Sequence, residues 1–221
     1  MTNKSSMIKT PWPTKKAMDQ VYAMKLWGEN NSDFYSGDGS HSPIIVDPYI
    51  DVLTSFLTSF SPPLVVCDLG CGDFNVGKDL VKYTKKYIAI DIVSDLIKYN
   101  SEVFKADNLE FHCLDIAYDD FPSGDCAILR QVLQHLSNAE IQRIVSNLCA
   151  FKYVVLTEHI PSGDFISNKD IISGQGTRLK KQSGLNLFHP PFSFKVKESK
   201  QLLSVVLDDE NGAIVTTLYI A

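Results

Sequence analysis

From Leu64 onward the chain alternates short apolar, β-branched runs with segments of helical periodicity, and this alternation narrows the fold more than any other feature. The runs are 64–69 (LVVCDL), 86–91 (KYIAID), 109–114 (LEFHCL), 125–130 (DCAILR) and 152–158 (KYVVLTE). Between them the apolar spacing predicts helices near 76–84, 93–104 and 137–150. Strands alternating with helices of this length are expected to lie parallel, each helix crossing over the sheet. Two further apolar runs follow, 200–207 (KQLLSVVL) and 213–220 (AIVTTLYI), with a turn at Asp208–Gly212 between them. They predict a hairpin whose last strand runs antiparallel to the rest. The expected fold is α/β: a doubly wound, Rossmann-like, mostly parallel sheet ending in an antiparallel hairpin strand.

The residues before Leu64 have a different character. Residues 1–16 are polar and lysine-rich, with Pro11 and Pro13 opposing a regular helix, and are expected to be mobile. Ala17, Val21, Met24 and Trp27 then predict a helix over 16–27, followed by a Gly-, Ser- and Asn-rich loop over 28–42. Asp47 as N-cap and Pro48 in the first turn predict a second helix running to about Phe60, closed by Ser61-Pro62-Pro63. Residues 1–63 therefore form an N-terminal helical cap or lid, and residues 64–221 form the core. The stretch 160–199 is long for a connection and is expected to be a functional insertion.

Charge and cysteine usage narrow the functional classes without excluding a nucleic-acid partner. Across 221 residues the formal net charge is −5, which offers no general basic field for nucleic acid. The N-terminus lacks the apolar stretch of a secretory leader, and no run approaches the roughly 18 apolar residues of a membrane span. Cys67, Cys71, Cys113, Cys126 and Cys149 show no metal-ligand spacing. They are expected to be reduced thiols in a cytoplasmic protein without a structural metal.

The segment Val65-Val66-Cys67-Asp68-Leu69-Gly70-Cys71-Gly72 runs a buried strand into a glycine turn. Glycine allows the sharp turn and leaves no Cβ between backbone and ligand, at the strand end where α/β sheets bind ligands. The second strand ends in Asp91, placed to accept both hydroxyls of a ribose. Asp115 and Ile116 follow the third strand, where an acid and an apolar face suit an adenine. A dinucleotide-binding dehydrogenase fits less well. Its G-x-G-x-x-G fingerprint needs a third glycine where this chain has Asn75, and Gly77 comes too late.

These motifs resemble those of class I S-adenosylmethionine-dependent methyltransferases. The resemblance covers about 64–160 and, in outline, the final hairpin. It implies that Asp68, Gly70, Cys71 and Gly72 line the amino-acid part of S-adenosylmethionine. Asp91 would hold the ribose, Ile92 would pack on the adenine beside Ile116, and Asp115 would read the adenine amine. Leu129-Arg130-Gln131-Val132-Leu133-Gln134-His135-Leu136 resembles the segment after the fourth strand, where Arg130 and Gln131 would border the sulfonium.

The transfer chemistry has several candidates. His135, just after the fourth strand, and His159, at the end of the fifth, are candidate general bases, since histidine alone has an unperturbed pKa near neutrality. His112 lies inside a strand and is expected to be structural. His41 and His189 are loop residues with weaker claims. Arg178, Lys180 and Lys181 form the densest basic cluster near this edge, so Arg178 is a candidate ligand for an anionic substrate group. Trp27, Phe34, Tyr35 and Ser36 could fold over the cofactor, with Tyr35 touching substrate. His189-Pro190-Pro191-Phe192 lies too late in the chain to be an amine-holding motif and is expected to be a rigid turn. The expected activity is O-methylation of a small molecule or sugar-like metabolite. An RNA or protein methyltransferase, or a catalytically silent binding module, are the alternatives.

Overall fold

The computed structural model describes residues 11–30, 32–207 and 212–221. Its centre is a seven-stranded sheet in the order β3-β2-β1-β4-β5-β7-β6. The strands are β1 Val65–Leu69, β2 Lys86–Asp91, β3 Leu109–Cys113, β4 Cys126–Arg130, β5 Tyr153–Ile160, β6 Glu198–Val206 and β7 Ala213–Ile220. The first five pair in parallel, β7 runs antiparallel between β5 and β6, and the β6–β7 ladder is irregular at Gln201/Leu203. The fold is therefore the mostly parallel α/β sheet with a terminal antiparallel hairpin that the periodicity predicts. Most of the turn expected at Asp208–Gly212 lies outside the described residues.

Alternation along the strands sends side chains to two separate cores. Cys67, Leu69, Ile88, Ile90, Ala127 and Leu129 face one layer, together with Ile141, Ile144 and Leu148 of α5 (Asn138–Leu148) and Leu96 of α4 (Ser94–Val103). Val66, Tyr87, Ala89, Cys126 and Ile128 face the other, with Tyr49, Leu53 and Leu57 of α2 (Pro43–Thr58). Asp68, Asp91 and Arg130 share this second face by the same two-residue period. α5 opens with a capping box: Ser137 accepts from the Glu140 N–H while the Glu140 carboxylate accepts from the Ser137 N–H.

Several boundaries differ from expectation. α1 spans Thr14–Ala23 and not 16–27. Pro13 occupies its N-cap, where a missing N–H costs nothing, so the proline starts the helix and does not prevent it. Thr14, Lys15 and Lys16 are accordingly helical, and residues 1–10 lie outside the described chain. α2 begins at Pro43 after Ser42, ahead of the expected Asp47-Pro48 start. Pro43 takes the favoured first-turn position, and Pro48 is carried inside the helix, where it cannot donate to Ile44. The helix expected over 76–84 shortens to α3 (Gly77–Leu80) and a 3₁₀ turn, Val81–Tyr83.

The strand order reverses between β1 and β4, so a crevice opens beyond their carboxyl ends. The stretch 160–199 contains one short 3₁₀ turn, Arg178–Lys181, and packs back on that same end of the sheet. The N-terminal segment crosses it from the other side.

Candidate active site

A cavity of about 430 Å³ lies over the ends of β1, β2, β4 and β5, within the roughly 300–1,000 Å³ usual for small-molecule sites. At its floor Gly70 and Gly72 have φ of +91° and +56°. A Cβ on Gly70 would stand 2.4 Å from Val132 Cγ2, and one on Gly72 would stand 2.5 Å from Ser36 Oγ. Both conformation and close packing therefore demand glycine here.

The N–H groups of this turn are already engaged. Those of Gly70 and Cys71 donate to Ile90 O at 2.8 and 2.9 Å, and that of Gly72 to Asp91 Oδ2 at 3.1 Å. That of Asp73 donates to Ser36 Oγ at 2.8 Å. A pyrophosphate needs such donors free at a helix N-terminus; this turn instead offers a bare backbone surface beside buried carboxylates.

Asp91 is 9% exposed and also accepts from Val93 N at 3.0 Å. Burial raises its pKa above the ordinary carboxylate value, against the pull of the Val93 and Gly72 N–H groups. Each carboxylate oxygen can accept more than one bond, so lone pairs remain for a ligand. Asp115, with Ile92, Leu114, Ile116 and Ala117, lines the cavity beside it, and Asp115 Oδ1 accepts from Ala117 N at 3.0 Å. Asp68 lies deeper and accepts from the Tyr87 hydroxyl at 2.9 Å. Burial, reinforced by the nearby Asp91 charge, pushes Asp68 up to about 7, while the Tyr87 bond and Arg130 act in the opposite sense. Cys71 lines the turn with its thiol pushed well up by burial, which leaves it no thiolate character.

The N-terminal segment is fastened across this floor. Ser36 N donates to Asp73 Oδ2 at 2.8 Å, the Tyr22 hydroxyl lies 2.9 Å from Ser36 Oγ, and His41 Nε2 lies 2.6 Å from Asp73 Oδ2. Arg130 donates to Gly39 O and, at 3.1 Å, to Ser40 Oγ. Lys15 Nζ donates to Ile92 O at 2.6 Å. These ties involve Ser36, Gly39, Ser40 and Asp73, whose parts were not legible in the sequence. Ser36 alone stood out, as a loop residue near aromatics.

The cavity brings together Asp68, Gly70, Cys71, Gly72, Asp91, Ile92, Asp115, Ile116, Arg130, His135 and His159. Tyr35 is not in its wall: the hydroxyl donates to Asp38 and the ring stacks on His41 at 4.5 Å. Arg178 is not there either. It is 1% exposed and donates to Lys169 O (3.1 Å), Leu133 O (2.9 Å), Leu136 O (2.7 Å) and Asn138 Oδ1 (2.8 Å). Its guanidinium is engaged by the protein itself, so it cannot meet a substrate anion. Lys180 and Lys181 are exposed and also lie outside the cavity. The expectation of a basic substrate subsite fails because one cation is internal and the others face away.

His135 lines the cavity with Nδ1 3.3 Å from Gly176 O and Nε2 3.4 Å from Gln134 Nε2. Burial pulls its pKa down to about 4, so the near-neutral titration expected of it is lost. His159 also lines the cavity, and its N–H donates to Gln134 Oε1 at 3.3 Å. His112 lies 3.3 Å from Glu110 in β3, and His189 lies 3.2 Å from Ser167, both outside the cavity.

Beneath the turn 133–135 lies Glu158, 4% exposed, accepting from Leu133 N at 3.0 Å and Gln134 N at 3.1 Å. Burial pushes it up to about 8 despite those bonds and Arg178. A raised folded pKa means the native protein holds this proton more tightly than the unfolded chain. That stability is complete below about pH 4.5 and is lost as pH rises through about 8. Between pH 5 and 8 wild type should therefore lose roughly 3 kcal/mol relative to Glu158→Gln. Urea titrations of both proteins across this range check it, and parallel curves would refute the shift.

Residues 66–151 match the family described as methyltransferase domain. No curated protein matches the chain in sequence. Among solved structures, it is similar to a magnesium protoporphyrin IX methyltransferase from Synechocystis PCC 6803 with bound S-adenosylmethionine. That pair is 16% identical with a TM-score of 0.57, covering 96% of this chain and 100% of the other. The N-methyltransferase NodS from Bradyrhizobium japonicum WM9, in complex with S-adenosylhomocysteine, is 12% identical with a TM-score of 0.64, covering 92% and 98%. A dimethyladenosine transferase from Plasmodium falciparum is 20% identical with a TM-score of 0.51, covering 78% and 60%. The likeness is one of fold, and the names span different methyl acceptors.

Proposed function

We propose that this chain, which has the class I S-adenosylmethionine-dependent methyltransferase fold, transfers a methyl group from S-adenosylmethionine to a hydroxyl oxygen of a small molecule. The observation that carries the reading is the pairing of Asp91 and Asp115 at the ends of β2 and β3, opening into one cavity with a glycine turn whose N–H groups are engaged. Asp91 would accept from the ribose hydroxyls, Asp115 from the adenine amine, and Ile92 and Ile116 would cover the ring. Arg130 and Tyr49 supply a further sign of fit. Arg130 Nε is buried in the cavity wall without a hydrogen-bond partner among the described residues, and the Tyr49 hydroxyl lies beside it, near Thr157. Buried donors of this kind suit the cofactor's carboxylate. Bound there, S-adenosylmethionine would supply an electrophilic methyl carbon, which an acceptor oxygen would take as the carbon–sulfur bond broke and its electron pair stayed on sulfur.

The residues at the ends of β2 and β3 would hold the nucleoside, and those at the ends of β4 and β5 would border the transferable methyl. Residues 36–41, tied to Asp73 and Arg130, act as a lid that excludes water. His159 takes the acceptor's proton, and His135, held neutral, orients the acceptor. His159→Asn should lower kcat about 10²-fold with cofactor affinity unchanged. The check is steady-state kinetics on whichever acceptor a labelled-methyl screen of metabolites returns; an unchanged kcat removes this role and leaves the cofactor reading intact. Calorimetry with S-adenosylhomocysteine, and with NAD as control, tests the cofactor. Binding of NAD alone would overturn the proposal. The small-molecule reading is favoured over RNA by the net charge of −5 and by the withdrawal of Arg178 from the site.

A further inference from the structure

The acceptor end of the cavity is built by Trp27, Gln131, Gln134, His135, His159 and Thr177. None carries a permanent charge, and burial holds the His135 imidazole neutral. Of the ionisable groups around it, Arg130 is the one assigned above to the cofactor's carboxylate, Glu140 accepts from Ser137, and two more are turned inward. Arg178 donates to the backbone carbonyls of Leu133 and Leu136, and Glu158 accepts from the N–H groups of Leu133 and Gln134. The turn carrying Gln134 and His135 is thus clamped from both sides by an acid and a base, and it presents a neutral face to the cavity.

Two features of that face ask for a particular occupant. Trp27 forms an aromatic corner, its ring 5.4 Å from Tyr22 edge-on and 5.1 Å from the His135 ring. Gln134 is 6% exposed, yet its amide Nε2 has only long contacts, 3.5 Å to Gln131 Oε1 and 3.4 Å to His135 Nε2. A buried amide donor held so loosely is under-satisfied, and a ligand oxygen at ordinary distance would complete it.

Resting on the methyl-transfer reading above, we infer that this end takes an uncharged, flat, ring-bearing molecule whose hydroxyl oxygen accepts from Gln134 Nε2 while the ring lies against Trp27. With Arg130 occupied by the cofactor's carboxylate and Glu140 hydrogen-bonded to Ser137, an anionic or cationic analogue would bring in a charge with no counter-charge set aside for it, and burying an unpaired charge is costly.

The test uses matched probes on protein saturated with S-adenosylhomocysteine: 2-naphthol, 2-naphthoate and 2-naphthylmethylammonium, with dissociation constants from ligand-observed NMR. The expected result is that 2-naphthol binds at least about tenfold more tightly than either charged analogue. Trp27→Ala should weaken 2-naphthol binding at least about fivefold, and Trp27→Phe, which keeps a ring, should retain most of it. Gln134→Leu should weaken it by a similar factor. The inference is overturned if a charged analogue binds as well as 2-naphthol, if 2-naphthol does not bind at millimolar concentration, or if both Trp27→Ala and Gln134→Leu leave its affinity unchanged. A protein that fails to bind S-adenosylhomocysteine at the outset strikes the methyl-transfer reading instead, so the two failures are told apart.

Discussion

Asp91→Ala is expected to lower affinity for S-adenosylhomocysteine by roughly 10²- to 10⁴-fold with the fold intact. Two charge-assisted hydrogen bonds to ribose hydroxyls, each worth about 1.5–3 kcal/mol, would disappear together. The carboxylate also organises the floor on which the ligand rests. Its oxygens accept from Gly72 N and Val93 N, so the alanine variant leaves both donors to water. Asp91→Asn separates the two contributions. Its amide oxygen can still accept from one of these N–H groups, so the turn keeps its shape while the charge is gone, and the loss should be smaller, about tenfold. Calorimetry gives the affinities and circular dichroism the integrity of the fold. An alanine variant that binds as wild type would mean that the ribose lies elsewhere.

The place of Asp91 in the cavity wall was legible because its information is local. A strand buried along nearly its whole length must end somewhere, and an acid at that end, one crossover after a glycine turn, marks a candidate ligand position. The five parallel strands and the hairpin were legible for the same reason, since short apolar, β-branched runs and the turn residues between them act over a handful of positions. Helix starts were less so. Pro13 and Pro43 could each open a helix or end a loop, and burial of Met18 and Val21 on one side, and of Ile45, Val46 and Tyr49 on the other, settles which. What sequence could not show is which polar residue faces inward. Arg178 sits among Lys180 and Lys181 in a run that looks solvated, yet it alone is enclosed, because the carbonyls it meets belong to a turn distant in the chain. Ser36 and Asp73 meet across the same kind of distance, and nothing in either neighbourhood marks the other.

Arg178→Met is expected to destabilise the fold by about 3–5 kcal/mol, the cost of leaving several buried acceptors without their charge-assisted donor. At this chain length that corresponds to a fall in Tm of roughly 6–20 °C. Methionine keeps much of the apolar stem, so packing changes little and the loss is that of the planar fork. Leu133 O, Leu136 O, Lys169 O and Asn138 Oδ1 all lose a donor at once. Glu158 loses the positive charge that offsets its burial, so its pKa should rise further above about 8. The sign of the pH dependence follows. Below that pH Glu158 is protonated in both proteins and the deficit reflects the orphaned carbonyls alone. Above it wild type ionises Glu158 beside Arg178, the variant must ionise it unaided, and the deficit grows. Arg178→Lys tests the geometry separately, because an ammonium restores the charge but cannot span four acceptors, and should recover the alkaline part of the loss more than the rest. Urea denaturation at pH 6 and pH 9 distinguishes these contributions. If Arg178 were instead a substrate ligand on a solvated loop, the methionine variant would unfold within about 0.5 kcal/mol of wild type at both pH values, and only the KM for an anionic acceptor would change.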